Sequence, residues 1–267
     1  MCSAAATFYA AIALVPALVL LLTFASWAIG DDRVVDWGRR TAAALPDGLG
    51  ADDVFRGFVE DAVALPLPAA LAGLLPATLY GEGLRRTFGH VAPGGRERRR
   101  WVGWRGRLAF LPLLVLALPA LVVVLACGPL LASLFPRGAG GTVAGVLVAF
   151  AVNWVLLSPL LAVSYRILGP VTPRWKSCFV GGFTVGSFLA GFLEGFVVFI
   201  AIPLDLGVPF GGYEQVGAAA AVALWTYLLH MIALAGYRFA LELDTTWPGS
   251  GAGRDGRAGH HAPGPLA

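Results

Sequence analysis

A glutamate inside an apolar run is the feature of this sequence closest to chemistry. Glu194 lies among Phe192, Leu193, Phe196 and Val197. Placing an ionisable side chain in the middle of a membrane helix costs about 2.5–3.5 kcal/mol, so such a residue calls for a function and a partner. Its carboxylate must face other helices or water, or carry a proton. The sequence offers His230 and Tyr227 in one later run and Asn153 and Ser158 in an earlier one. A Glu194–His230 pair has the chemistry of a proton or substrate relay. An interhelical hydrogen bond that only holds the bundle together is an equal alternative.

The elements that must position these groups are membrane spans. Of the 267 residues, 58% are hydrophobic and only 13% charged, against about 25% charged in soluble domains. That deficit excludes a water-soluble globule. A span needs about 20 mainly apolar residues, and six segments qualify. They lie within Met1–Gly30, at Ala62–Gly81, at Leu108–Phe135, within Gly138–Tyr165, at about Ser177–Pro203 and at about Gln215–Tyr237. The expected fold is therefore an all-α polytopic bundle of about six transmembrane helices over residues 1–247. Pro66, Pro68, Pro76, Pro112, Pro119 and Pro129 predict kinks in the second and third spans. The first run has no positive n-region and is long for a signal peptide, so it is expected to remain as a span. Cys2 precedes the apolar stretch that a lipobox would need before it, which argues against a lipid anchor.

Loop charge predicts orientation. Residues 82–107 are dominated by arginine, which places that loop in the cytoplasm by the positive-inside rule. Residues 31–61 are mostly acidic and belong outside, as do Asp205 and Glu214, whereas Arg174, Lys176 and Arg238 return inside. Both ends of the chain are then cytoplasmic. Within the outer loop, Asp52 and Asp53 would cap a short interfacial helix with Val54, Phe55, Phe58 and Val59 as its apolar stripe. In the inner loop, Arg98, Arg99 and Arg100 next to Trp101 suit anionic lipid headgroups, although fixing topology alone would also explain them. Nucleic acid is not an expected partner, because no binding motif accompanies the charge.

The fifth span is rich in glycine. Gly182 and Gly186 are four apart, as are Gly191 and Gly195, a spacing that lets helices approach closely. Packing within one subunit is the default reading, with a homo-oligomer face as the alternative. Cys2, Cys127 and Cys178 lie far apart without metal-ligand spacing, so free thiols, no metal and no cofactor are expected. Residues 248–267, rich in glycine and proline, are expected to be a disordered cytoplasmic tail.

Several short motifs resemble the YihY/BrkB family of bacterial inner-membrane proteins over nearly the whole chain. Ala5-Ala6-Thr7-Phe8-Tyr9 with Leu14-Val15-Pro16 resembles the start of its first helix. Tyr165-Arg166-Ile167-Leu168, Pro173, Trp175 and Gly181-Gly182 resemble the pattern after its fourth, and Leu224-Trp225-Thr226-Tyr227-Leu228 with Gly236 resembles its last. This chain departs where Tyr237-Arg238 replaces an acid and where the acid of the fifth span is displaced by about one turn to Glu194. The resemblance implies a six-span protein of the bacterial inner membrane, suspected of transport and in one branch tied to serum resistance. A ribonuclease label attached to some relatives finds no support, since His90, His230, His260 and His261 form no metal pattern. Gly-x-Ser-x-Gly and His-Glu-x-x-His are absent as well, so no enzymatic activity is expected. Two readings follow: a transporter or lipid-translocating protein centred on Glu194 and His230, or a scaffold or envelope factor that acts through partner contacts.

Overall fold

In the computed structural model the described residues are 2–43, 51–93, 104–134, 138–202 and 204–246. Arg98, Arg99, Arg100, Trp101 and the tail 248–267 lie outside them. Nine α-helices are described: α1 (Cys2–Ile29), α2 (Asp31–Ala42), α3 (Ala51–Val63), α4 (Leu67–Ala72), α5 (Leu74–Val91), α6 (Trp104–Leu134), α7 (Gly138–Ile167), α8 (Trp175–Ala201) and α9 (Glu214–Thr246). Five of them, α1, α6, α7, α8 and α9, are long and apolar enough to cross a membrane. A sixth candidate is a bent pair, α3 followed by α4 and α5, whose axes differ by 111° across the break and which has the length and composition of either a broken span or a re-entrant loop.

That break corrects the second span. The apolar run Ala62–Gly81 is continuous in sequence, but the helix stops at Val63 and resumes at Leu67, because Pro66 and Pro68 remove backbone donors at the joint. Thr23 Oγ on α1 donates to the freed carbonyl of Ala62 at 2.9 Å, so the joint keeps its hydrogen bonding where water is scarce. The helix then continues beyond Gly81 to Val91, carrying Glu82, Arg85, Arg86 and His90, so much of the expected basic loop is helical. α6 is assigned as one helix through Pro112, Pro119 and Pro129.

The acidic segment holds two helices rather than one. Gly30, at φ 95°, turns the chain from α1 into α2. α2 buries Val34, Gly38 and Ala42, spaced four apart on one face, and packs on α3 and α6. α3 buries Val59 within a cluster with Leu22, Ala25, Val34, Ala62 and Leu125. Phe55 and Phe58 pack at its edge, whereas Val54 is exposed.

Contacts fix which helix ends share a side. Arg86 on α5 donates to Tyr9 of α1, Arg238 on α9 to the Val91 carbonyl closing α5, and Tyr237 to the Val171 carbonyl after α7. The start of α1, the ends of α5, α7 and α9 and the starts of α6 and α8 therefore gather at one face, which carries Arg85, Arg86, Arg166, Arg174 and Arg238, whereas Arg33, Arg39, Arg40 and Arg56 lie on α2 and α3 among the acidic residues. Asp31, Asp32, Asp36, Asp52, Asp53, Asp205 and Glu214 gather at the other.

Candidate functional site

Two polar groups sit within the apolar helices. The first is Glu194 on α8. Asn153 on α7 donates from Nδ2 to Glu194 Oε1 at 2.8 Å, and both side chains are half-buried. α7 and α8 form the most extensive interface of the bundle, so the pair is held by packing above and below it. An amide partner positions a carboxylate without neutralising it.

The second group is His230, buried on α9. Its Nδ1 lies 2.8 Å from the Thr226 carbonyl, which can only accept, so Nδ1 carries the proton and donates. Nε2 is then free to accept from Tyr80 of α5 at 2.8 Å. Thr7 Oγ of α1, which itself donates to the Ser3 carbonyl, stands 3.3 Å from Nδ1. His230 thus ties three helices together, and its two ring nitrogens are both occupied. Glu194 and His230 do not pair with each other, and Tyr227 is half-buried outside both groups. Sequence gives Tyr80 no role and Thr7 only a place in the Ala5–Tyr9 motif, because an apolar context around each hides the contact with His230.

At the basic face a third arrangement surrounds Glu82, a residue whose sequence context suggests an ordinary loop acid. It is only 4% exposed. Arg86, one turn on, donates from Nε to its Oε1 at 2.8 Å. Gly106 packs so closely that a Cβ there would stand 2.6 Å from Glu82 Oε2, which has no hydrogen-bond partner among the described residues. The signal available in sequence was the Gly81-Glu82-Gly83 run, whose bare backbones admit Phe110 on one side and the Tyr9 ring on the other.

The motif after α7 also closes this face. Tyr165 donates to the Ala233 carbonyl at 3.1 Å, and Arg166 donates to the Thr172 and Pro173 carbonyls while standing over the Trp175 ring. Asp244 Oδ1 accepts from the Arg174 backbone N–H at 2.9 Å, from Arg174 Nε at 3.1 Å and from Ser177 Oγ at 2.7 Å. The α7–α8 turn is thereby clamped to the end of α9.

The four glycines of α8 divide into two kinds. A Cβ at Gly182 would meet the Ser158 carbonyl at 2.8 Å and the Ala162 nitrogen at 2.9 Å, and one at Gly186 would strike Ser158 Oγ. Gly191 and Gly195 are exposed and have nothing nearer than 3.7 and 3.8 Å. Among the described residues no group of three or more His, Cys, Asp or Glu could hold a metal ion.

Such a bundle, with polar groups paired across spans and charge segregated to its two faces, is that of a multi-pass α-helical membrane protein. The chain belongs to the family described as virulence factor BrkB, whose model matches residues 1–259. It is a family of membrane factors rather than enzymes, and it places the chain in the bacterial inner membrane. Comparison with curated proteins and with solved structures gives no match.

Proposed function

We propose that the protein moves a solute or a lipid across the inner membrane, with the Glu194–Asn153 pair as the site that engages the cargo. The observation that carries this reading is a carboxylate held within a span by a neutral amide and only partly buried. A group that served only to join α7 to α8 would be expected to be buried between them, and an ionisable residue at this depth is costly unless it is used. His230, fully satisfied by Tyr80 and Thr226, fits the role of a pin among α1, α5 and α9 better than that of a relay partner.

Proteoliposomes test it directly. Wild-type protein is expected to dissipate an imposed pH gradient on addition of a transported solute, or to exchange a fluorescent phospholipid between leaflets. Glu194→Gln is expected to lose that activity while keeping its thermal transition. Flux equal to empty liposomes, or equal in variant and wild type, would sink the reading.

The basic face is the cytoplasmic one in this proposal, with both termini inside and Arg98, Arg99, Arg100 and Trp101 against anionic headgroups. Cysteines introduced at Asp47 should react with an impermeant maleimide from outside, and those at Arg98 should not. The alternative reading is a scaffold that acts through partner contacts. The clamp around Asp244 and Arg174 favours it, since that face is fastened rather than hinged.

A further inference from the structure

We infer that Arg86, braced by Glu82 and Tyr9, binds a phosphate group at the basic face, and that the headgroup of an anionic phospholipid supplies it. The inference stands apart from the transport reading above and from Arg98, Arg99 and Arg100. An arginine side chain on a helix surface ordinarily loses much rotamer freedom on binding a ligand. Here two contacts have already removed it. Arg86 Nε donates to Glu82 Oε1 at 2.8 Å on its own helix, and Nη1 reaches the Tyr9 hydroxyl of α1 at 3.4 Å.

Both braces are themselves fixed. Glu82 is pressed by Gly106 of α6, where a Cβ would stand 2.7 Å from its Cα and 2.6 Å from its Oε2. The Tyr9 ring lies on Gly83, where a Cβ would stand 2.5 Å from it. The carboxylate is enclosed, with a side chain 6% exposed, whereas the arginine is 46% exposed. Of the five N–H groups of a guanidinium, one on Nε goes to Glu82 and one on Nη1 to Tyr9. The others have no partner among the described residues. Unused donors on two nitrogens of one planar group suit two oxygens of one oxyanion.

Charge at this crossing of α5 and α6 selects an anion. Glu82 and Arg86 balance each other, and three further cations surround them: Arg85 is next in the chain, and Arg105 and Arg107 flank Gly106. Arg107 Nε is buried without a hydrogen-bond partner among the described residues, a second donor that calls for an acceptor. A cation would be repelled here. The surface next to Tyr9 favours a lipid over free phosphate. Phe8 and Ile12 of α1 are exposed, one turn apart, and Ile12 lies further from the basic face. Apolar helix surface therefore leads from the level of the phosphate toward the membrane interior, where acyl chains would lie and a free anion would gain nothing.

The test uses the full chain in dodecyl maltoside, a detergent without phosphate. Dihexanoylphosphatidylglycerol, inorganic phosphate and dihexanoylglycerol are each titrated calorimetrically. Saturable binding of the phosphatidylglycerol is expected, and none of the diacylglycerol that lacks phosphate. Arg86→Lys keeps the charge that covers Glu82 but loses the planar fork, and should weaken binding about tenfold or more. Tyr9→Phe, which releases one brace and leaves the charge, should weaken it less. Inorganic phosphate bound as tightly as the lipid, and equally dependent on Arg86, keeps the phosphate site and makes free phosphate its source. Absence of saturable binding, or equal binding by wild type and Arg86→Lys, overturns the site. Should Arg86→Lys lack a cooperative thermal transition, wild-type protein crosslinked to a headgroup-photoreactive phosphatidylglycerol decides. Crosslinks around Tyr9 and in the last turns of α5 are expected, and crosslinks confined to other helices refute the site.

Discussion

The two halves of α8 are built on opposite principles. From Trp175 to Gly186 the helix has no slack. Ser177 is fastened to Asp244, Gly181 presses on Ala240, and Gly182 and Gly186 admit the backbone and side chain of Ser158. At Gly191 and Gly195 an added Cβ would meet only ordinary contact distances, and the polar residue is half-buried instead of enclosed. One helix thus anchors the basic face of the bundle and, a few turns away, carries a partly buried carboxylate. Identical spacing of small residues serves close packing in the first half and clearance in the second. What decides between them is the partner: α7 brings its backbone to the first pair and only the edge of Phe150 to the second.

Two of the carboxylates carried on helices, Glu82 and Glu194, give the comparison its largest expected effect. Glu82 is enclosed and depends on Arg86, so Arg86→Ala leaves a buried charge without its counter-ion. Breaking a buried pair costs 3–5 kcal/mol, and the partial exposure of Arg86 moves the expectation to the lower end, about 3 kcal/mol. Asn153→Leu removes one hydrogen bond from a half-exposed carboxylate and should cost nearer 1 kcal/mol. Thermal unfolding in one detergent, read by helical circular dichroism, compares them. Equal shifts would mean that Glu194 is as enclosed as Glu82 and that the contrast between the halves is wrong.

Glycine substitution is the next in size. Gly182→Ala drives a methyl into the Ser158 carbonyl and the Ala162 nitrogen, both backbone atoms that cannot rotate aside. Overpacking of this kind costs roughly 1–3 kcal/mol. Gly191→Ala meets ordinary contact distance, and alanine is the better helix former by up to about 1 kcal/mol, so it should be neutral or stabilising. Opposite signs in the same unfolding assay are the expected result. If both destabilise alike, the second half of α8 is packed rather than open.

Much of this fold was legible, for reasons tied to particular residues. Hydropathy located α1, α6, α7, α8 and α9, because an unbroken helix is the economical way to satisfy a backbone in lipid. It misplaced the second span, since Ala62–Gly81 is uniformly apolar on both sides of a joint that Pro66 and Pro68 enforce. α2 was hidden because its core face consists of Val34, Gly38 and Ala42, small residues whose burial depends on α6 rather than on their own hydrophobicity. For the site, Glu194, Asn153 and His230 each stood out as polar within apolar runs. The pairing did not, because the register between spans is set by side-chain packing that leaves no periodic trace. Hence the sequence allows a Glu194–His230 pair, whereas the neighbours of His230 are Tyr80 and Thr7.

The clamp at the start of α8 should yield a smaller change. Asp244→Asn keeps an oxygen that can accept from Ser177 and Arg174 but removes the charge, and half-exposed pairs of this kind contribute about 1 kcal/mol or less. The loss should shrink further at 1 M salt, where charges are screened within about 3 Å. A shift insensitive to salt would show that the hydrogen bonds, rather than the charge, hold the turn.

The smallest expected change in stability is at Glu194 itself. Glu194→Gln preserves shape and retains a carbonyl oxygen to receive the Asn153 amide, and the site is open enough for solvent or headgroups to adjust. A shift within about 0.5 kcal/mol is expected, as for substitutions away from packed cores. The physical content lies in combining that near-zero shift with accessibility. A cysteine at Gly195, beside the carboxylate, should react readily with a small thiol reagent, whereas one at Gly182 should not. Should Glu194→Gln instead destabilise by several kcal/mol, with position 195 protected, the carboxylate would be a structural bolt like Glu82. The second half of α8 would then differ from the first in composition alone.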